Sequence, residues 1–345
     1  MSPATSSTSS PSFPADCLRV STAWTWRDRL GAIGVRLGIR RMRYSVPPGL
    51  YALGRPTPES PVFVSANYKL SFDHLRRALD GIDGWILALD TKGVNVWCAA
   101  GEGNFSTEEL VRRVRKVQLD QVVSHRDLIL PQLSAPGVDA FEATKQSGFR
   151  ILYGPVYADD LPRFLKNGQR ATPDMRRIHF RWHERLAVAP LELVIHFKRS
   201  LLVGLAMVIL SGISPAGFSW NQIATFGGPA LSGWIASYVL AGILGPLLLP
   251  WLPTRSFALK GAVLGAAIAT AGLVTFAPSW NALRMTAWLL LVAAGASFLL
   301  LNFTGCTTFT SPSGVRREIR WALPLQAACA FAGLASWALA GWNGP

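Results

Sequence analysis

The amino-acid sequence predicts an α/β, Rossmann-like head followed by an all-α bundle of five transmembrane helices. Charged residues are unevenly distributed along the 345 residues: from Ser200 to Pro345 the only acid is Glu318, and there are six bases. Before Ser200 the chain has the charge content of an ordinary globular domain, and short apolar runs alternate with helical patterns. Alternating strands and helices are typical of an α/β sheet whose ligands bind at the loops after the strands.

These changes in composition predict four segments. They are a disordered leader at 1–26, a globular head at 27–185, a juxtamembrane linker at 186–199 and a transmembrane domain at 200–345. The first 16 residues are rich in Ser, Thr and Pro and have too few apolar residues to offset the entropy lost on folding. They also lack the apolar stretch of a signal peptide, so we expect the head to be cytoplasmic.

Hydrophobic periodicity predicts the elements of the head in chain order. The first are a strand at Val62–Val64, a helix at Ser71–Leu79, a buried strand at Trp85–Leu89 and a turn at Asp90–Gly93. The segment 94–99 is predicted to be either a second strand or the approach to a tight cap. Ser106 and Glu109 form a capping box for the next helix. A strand at 122–124, a loop at 128–132, a helix at 138–146, a strand at 149–153 and a helix around Leu161–Leu165 follow.

Five uncharged runs are each long enough to cross a bilayer core, which requires about 20 apolar residues in a helix. They lie at 200–218, 230–250, 261–279, 285–303 and 321–341. Five such runs in succession disfavour the alternative of a long buried helical hairpin. Because Lys and Arg concentrate in the second and fourth joints, we expect a multi-pass protein of the inner (cytoplasmic) membrane with its head inside and its C-terminus outside.

The formal net charge of +14 is concentrated near the start of the head and before the first predicted span. Six arginines lie between Arg27 and Arg43, and Lys198 and Arg199 precede the span. Attraction to anionic membrane lipid accounts for this pattern. No nucleic-acid-binding motif accompanies the basic residues, so we expect no nucleic-acid partner.

The other motifs argue against several classes of site. The four cysteines form no Cys-x-x-Cys pair, so we expect neither a disulfide framework nor an iron–sulfur cluster in this chain. Gly101-Glu-Gly103 lacks the third glycine of a dinucleotide-binding fingerprint. His179 and His183 have the i, i+4 spacing of a metal pair, but neighbouring arginines favour a solvated juxtamembrane face. For the loop Asn302–Ser311, a helix-terminating Ser/Thr turn and a functional role both stay open.

The stretch Asn95–Gly101, with the sequence Asn-Val-Trp-Cys-Ala-Ala-Gly, is the most informative part of the head. A cysteine thiolate is a nucleophile and a metal ligand. Small residues beside it let a large flat group approach the backbone closely. Cys98 therefore suggests a soft ligand presented to a macrocyclic metal. An inert cysteine in an apolar core is the alternative, and the residues alone leave both open.

Several runs resemble the HgcA family, the membrane-bound corrinoid protein of microbial mercury methylation. They are Ser65–Asp73, Leu89–Gly101, His125-Arg126, Leu130–Leu133, Ser147–Phe149, Tyr153–Val156 and the Asn302 loop. The similarity extends from about Arg27 to the last predicted helix, and the Asn95–Gly101 string is its most specific part. The head is also similar to the corrinoid domain of the corrinoid iron–sulfur protein of acetyl-CoA synthesis.

This resemblance implies a corrinoid-binding head that holds cobalamin, with Cys98 as the lower axial ligand of cobalt. The residues of the implied cofactor-binding cap are Asn95, Val96, Trp97, Cys98, Ala99, Ala100 and Gly101. The chain would be a methyltransferase that transfers a methyl group from cobalt to Hg(II), forming methylmercury. Donation from a soft thiolate raises the electron density on cobalt, which favours this transfer. The implied partners are a small ferredoxin-like protein with two [4Fe–4S] clusters, and a methyl donor protein or methyltetrahydrofolate.

Two positions depart from the family pattern. Glu102 stands where the family has lysine, and by the like-charge rule a carboxylate there disfavours the ionised thiol. Phe141 stands where family members tend to have histidine. We expect corrinoid binding to survive, whereas the function has alternatives: a paralogous methyltransferase with another acceptor, or a non-catalytic corrinoid-binding membrane sensor or transporter. The scarcity of ionisable groups within the predicted spans argues against a transport pathway.

Overall fold

The computed structural model describes residues 17–276, 280–307 and 310–342. Residues 1–16 of the predicted leader lie outside this range, as do 277–279 at the end of the third predicted span. The chain divides into two compact units, residues 1–35 with 39–178 and residues 36–38 with 179–345.

The first unit contains a six-stranded sheet with helices on both faces. Its strands are β1 (Leu18–Val20), β2 (Gly49–Leu53), β3 (Val62–Ala66), β4 (Gly84–Leu89), β5 (Asp127–Leu130) and β6 (Arg150–Tyr153). Its helices are α1 (Trp26–Arg36), α2 (Lys69–Ala78), α3 (Val96–Glu102), α4 (Thr107–Lys116), α5 (Leu119–Val122), α6 (Ala140–Ser147) and α7 (Leu161–Lys166). The predicted α/β class of the head is confirmed.

The strand order is β1-β2-β4-β3-β5-β6. Strands β4, β3, β5 and β6 are parallel, whereas β2 runs antiparallel to β4. The chain leaves β3 for β4 on one side and later returns to β5 on the other side of β3. In open α/β sheets such a reversal creates a crevice at the carboxyl ends of the strands, where ligands bind. The carboxyl ends of β3 and β5 are therefore the expected ligand-binding edge.

Strands β3 and β4 are buried along their whole length, which explains the apolar sequence of β4 and the apolar run Val62–Val64 in β3. Val64 and Leu87 belong to the core that α4 and α6 cover. Phe63 and Ile86 belong to the core beneath α2 and α7. Successive strand side chains point to opposite faces, so this central pair of strands supplies both cores at once.

Most predicted elements of the head are confirmed with small shifts of their bounds, but two predictions are wrong and one of two alternatives is excluded. The segment 122–124 is not a strand, since α5 ends at Val122. The true strand is β5, in the segment 128–132 that the sequence predicts as a loop. Pro131 suggests a loop, but it follows the last residue of β5 and removes no ladder hydrogen bond. The segment 94–99 is not a strand either, because Asn95 caps α3 there.

Two strands have no counterpart in the sequence prediction. Strand β2 follows Pro47-Pro48. The turn-forming residues on either side of it indicate a loop, so the sequence pattern does not predict this strand. Strand β1 lies within the segment 1–26 that the sequence predicts as a disordered leader, and it pairs in parallel with β2.

Within the described residues, the second unit has five helices that are long and apolar enough to cross a membrane. The helices and strands of this unit are α8 (Trp182–Ser211), β7 (Ile213–Ser214), β8 (Gly217–Phe218), α9 (Trp220–Gln222), α10 (Gly228–Leu248), α11 (Phe257–Phe276), α12 (Ala282–Phe303) and α13 (Pro312–Leu339). The placement of the head inside and the C-terminus outside the membrane stays a prediction.

The first apolar helix begins earlier than the predicted span. Helix α8 starts at Trp182, so the predicted linker 186–199 is helical and continuous with the apolar segment after it. Two of its ionisable residues form a pair: His196 Nε2 lies 3.4 Å from Glu192 Oε2. Ionisable groups thus occur within this helix, although the sequence pattern predicts the span to begin after them.

Candidate functional site

Cys98 lies in the first turn of α3, the short helix that follows β4 at the carboxyl edge of the sheet. Asn95 caps this helix, because its Oδ1 accepts a hydrogen bond from the Cys98 amide at 3.0 Å. The Nδ2 of the same side chain lies 3.4 Å from Cys98 Sγ and donates towards it. The thiol is free and exposed, which is contrary to the alternative of a cysteine buried in the core.

Helix α3 has a buried and an exposed side. Ala99 and Ala100 are buried against the head, whereas Trp97 is 41% exposed and Gly101 is exposed. A Cβ added to Gly101 would have no neighbouring heavy atom within 4 Å outside its own helix. The sequence predicts that all three small residues lie beside a flat group, but only Gly101 shares the exposed side with Cys98. The two alanines instead let the helix approach the head, and Val96 is half-buried.

Gly137 makes the close approach of α3 possible. It follows a 3₁₀ turn at Gln132–Ser134, which comes directly after β5 and packs against α3. A Cβ on Gly137 would lie 2.9 Å from Ala100 Cα and would also collide with the backbone oxygen of Phe105. Any larger residue would therefore displace the helix that carries Cys98.

Asn67, directly after β3, holds the loop that leads into α3. Its buried Oδ1 accepts hydrogen bonds from the Thr91 amide at 3.1 Å and the Gly93 amide at 3.0 Å. The Thr91 hydroxyl lies 2.9 Å from the same oxygen. Gly93 has a positive φ of 73°, so the turn also needs glycine. One amide side chain thereby ties the carboxyl ends of β3 and β4 together.

Glu109 of α4 holds the same loop from the other end. Its Oε1 accepts hydrogen bonds from the Asp90 amide at 2.8 Å and from Arg113 Nη2 at 2.7 Å. Ser106 Oγ accepts from the Glu109 amide at 3.3 Å, as the predicted capping box requires. Only the hydrogen bond to Ser106 Oγ confirms the capping box. The described contacts of the Glu109 carboxylate are with the loop before α3 and with arginines.

The two departures from the family pattern also lie at this edge. Glu102 is one helical turn after Cys98, which puts both residues on the same side of α3. Its Oε2 accepts a hydrogen bond from Asn104 Nδ2 at 3.3 Å. Phe141 is 78% exposed at the start of α6, the helix that follows β5.

Other residues from the runs that resemble the HgcA family stabilise the head. Tyr153, at the end of β6, donates its hydroxyl to the Val138 carbonyl at 2.5 Å, and burial raises the pKa of this phenol. His125 precedes β5 and therefore lies at the opposite edge from Cys98, with its Nε2 2.9 Å from the Ser60 carbonyl. The neighbouring Arg126 guanidinium lies 5.3 Å from the Phe149 ring centroid. These contacts stabilise the head, and His125 and Arg126 lie at the edge of the sheet away from Cys98.

The described part of the chain contains no cluster of three His, Cys, Asp or Glu side chains that could hold a metal ion. His179 precedes α8 while His183 lies inside it, so the predicted pair does not share a helix face. In the loop Asn302–Ser311, residues 308–309 lie outside the described residues. Asn302 Nδ2 donates to the Phe298 carbonyl at 2.8 Å and Ser311 Oγ accepts from the Gly314 amide at 3.2 Å. These bonds end one helix and begin the next, and a functional role stays a prediction.

Comparison with known proteins identifies relatives of the head. Residues 40–160 match the family described as CO dehydrogenase/acetyl-CoA synthase delta subunit. The chain is 32% identical over 128 residues to the acetyl-CoA decarbonylase/synthase complex subunit gamma of Archaeoglobus fulgidus, covering 36% of this chain and 27% of that relative. The corresponding subunit of Methanopyrus kandleri is 32% identical over 124 residues, or 35% and 26%. That of Methanocaldococcus jannaschii is 30% identical over 129 residues, or 37% and 26%.

The chain thus spans about a quarter of the length of these curated relatives. The matched region includes the whole of α3 and the loops around it. The similarity is confined to the head, and it does not single out the mercury-methylating family.

Proposed function

We propose that the head binds a corrinoid and that the protein is a membrane-anchored methyl carrier that transfers a methyl group to Hg(II), forming methylmercury. The observation that carries the proposal is the exposed Cys98 thiol on a capped helix at the ligand-binding edge of the sheet. The five apolar helices support anchoring in a membrane. The proposed partners are a small ferredoxin-like protein with two [4Fe–4S] clusters and a methyl donor protein or methyltetrahydrofolate.

The residues on α3 fit a cobalt macrocycle better than a free metal ion. A corrin ring brings its own equatorial ligands, so cobalt would need one protein ligand, whereas a free ion needs several. Cys98 would be the protein ligand of the cobalt, and Asn95 would orient it through its contact with the sulfur. Trp97 and Gly101, on the exposed side, would lie beside the ring. Val96, Ala99 and Ala100 would support the cap from within.

The chain's own contribution to the reaction is a fixed soft donor. When bound, the corrinoid supplies the cobalt that carries the methyl group. Cys98 would donate electron density to the metal, and the packing of Ala100 against Gly137 would fix the height of the cap. The four cysteines of the sequence are too dispersed to hold a cluster, so electrons would come from the ferredoxin-like partner.

The ligand assignment is tested with full-length protein loaded with cobalamin. We expect an absorption spectrum of cobalamin with its own base displaced and a cysteine bound, and we expect Cys98→Ala to abolish it. Cys329→Ala, which removes a half-buried thiol in the second unit, is the matched control and should leave the spectrum unchanged. An unchanged spectrum in Cys98→Ala would refute the assignment.

A second candidate is a paralogous methyltransferase with another acceptor, and the position of Glu102 favours it. The methylated protein should be incubated with Hg(II) as wild type, as Glu102→Lys and as Glu108→Lys, which makes the same charge change at an exposed position of α4. If Hg(II) is the acceptor, we expect the wild type to form methylmercury. The rate should be higher with Glu102→Lys and unchanged with Glu108→Lys. If cobalamin binds normally and none of the three proteins yields methylmercury, the acceptor is a different one.

A further inference from the structure

Helix α1 has two chemically different faces. One face is buried and consists of Asp28, Ala32 and Val35. The opposite face is exposed and apolar, with exposed fractions of 66% for Trp26, 58% for Leu30 and 54% for Ile33. A helix turns about 100° per residue, which puts these two sets on opposite sides. Three more exposed apolar residues, Leu37, Ile39 and Met42, follow the helix in the sequence.

The buried face is pinned to the head by an ion-pair cluster. Asp28 accepts hydrogen bonds from Lys69 Nζ at 2.6 Å and from Arg76 Nη2 at 2.8 Å, both on α2. Asp73 completes the cluster through the same two cations. Because this cluster fixes the rotation of α1, the apolar stripe cannot turn inwards to escape water.

Arginines border the apolar stripe on both sides. Arg27 lies on one flank, and Arg29 and Arg36 lie on the other, again at about 100° per residue. Arg40, Arg41 and Arg43 follow soon after the end of α1 in the sequence. Within the part of the chain that the structure describes, no ion pair joins any of these six arginines to a carboxylate.

We propose that α1 is an interfacial helix that binds the surface of an anionic lipid leaflet. An apolar face that carries a tryptophan and is bordered by arginines is the pattern of helices that lie in the plane of the membrane, with the apolar side chains about 5–10 Å deep at the acyl boundary. The arginines bind lipid phosphates. An acidic protein could complement the charge, but the same chain supplies five helices apolar enough to keep it at a bilayer. The proposal is independent of corrinoid binding.

The test is hydrogen exchange of full-length protein in nanodiscs of phosphatidylcholine alone or mixed with phosphatidylglycerol. We expect the amides of 26–37 to exchange at least about tenfold more slowly in the mixed discs, because each arginine near an anionic surface contributes about a fivefold factor. Leu30→Gln with Ile33→Gln should abolish the slowing. Amides of α2 should be unaffected throughout, which shows that the head stays folded.

Two matched controls separate the apolar and the charge contributions. Leu18→Gln, at an exposed position of β1, should keep the slowing. Replacing Arg27, Arg29 and Arg36 by Gln should remove the difference between the two lipid compositions, whereas the same change at the exposed Arg163, Lys166 and Arg170 should not. Equal exchange in both kinds of disc would overturn the proposal. So would slowing that appears only when another protein is added, because the occupant would then be a protein.

Discussion

Gly101→Ala tests which side of α3 receives a ligand. Gly101 is helical and exposed, and an added methyl group would meet no heavy atom within 4 Å outside its own helix. The substitution therefore leaves the packing of the protein unchanged. Its consequences depend on two things only: the helix propensity of the new residue and whatever occupies the exposed side.

The two effects have opposite signs. Alanine is better than glycine in a helix by up to about 1 kcal/mol, so the ligand-free head should become slightly more stable. If a corrin lies against this side, the methyl group occupies space that the ring needs. Overpacking costs typically about 1–3 kcal/mol, which corresponds to a loss of cobalamin affinity of roughly 5- to 150-fold.

Cobalamin titration and chemical unfolding of the same full-length preparations provide both measurements. Gly34→Ala is the matched control, because Gly34 lies in a helix of the head and its added methyl group would have only an ordinary contact at 3.9 Å. It should give a similar gain in stability and leave cobalamin affinity unchanged. Unchanged affinity in Gly101→Ala would show that the exposed side of α3 does not face the ring, and the proposed cap would then be wrong.

Three further predictions concern the support of the site and the ion-pair cluster beneath α1. Gly137→Ala should weaken cobalamin binding by about tenfold or more, because the cap must shift by about 1 Å; titration measures this. Asn95→Ser and Asn95→Asp both retain a capping oxygen, but the carboxylate should make iodoacetamide alkylation of the neighbouring thiol slower than in the serine variant. Burial by itself raises the pKa of Asp28, but hydrogen bonds from Lys69 and Thr25 hold it well below its usual range. Because the folded pKa is depressed, this stabilisation is present above about pH 4 and is lost as the pH falls below it. Asp28→Asn should flatten the acid slope of the unfolding free energy, measured by denaturant titration at several pH values.

The parts of the fold that the sequence predicts are those determined by local pattern. Strands β3 and β4 are predictable because both faces are buried, which favours continuous apolar runs such as Val62–Val64 and Trp85–Leu89. Strand β5 has a similar run, but the proline directly after it, Pro131, leads the sequence pattern to predict a loop. Strand β2 is defined by its long-range antiparallel pairing with β4, and its own neighbours Pro48 and Gly54 indicate turns. Pairing across the sheet is not encoded in any single window of sequence.

The same distinction applies to the site. The motif around Cys98 identifies the segment, and the cap at Asn95 decides between strand and helix through one side-chain hydrogen bond. Asn67 and Gly137 could not be assigned, because their roles depend on which loops meet at the carboxyl edge. The sequence signal for Gly137 is only its place after Pro136, which predicts a turn and not a contact with a helix.

Glu102 affects a ligand-covered site more strongly than an open one. Residues at i and i+4 on a helix are about 6 Å apart, so a carboxylate and a thiolate at these positions repel by less than about 1 kcal/mol in water. At the lower effective dielectric of a protein surface, the repulsion rises to about 3 kcal/mol. A flat ring lying on α3 would exclude water from this side and move the pair towards the stronger limit. The charge of residue 102 should therefore change the reactivity of the free thiol little and change methyl transfer from the loaded protein much more. This is why the acceptor assay with Glu102→Lys, and not thiol chemistry alone, decides between the two candidate functions.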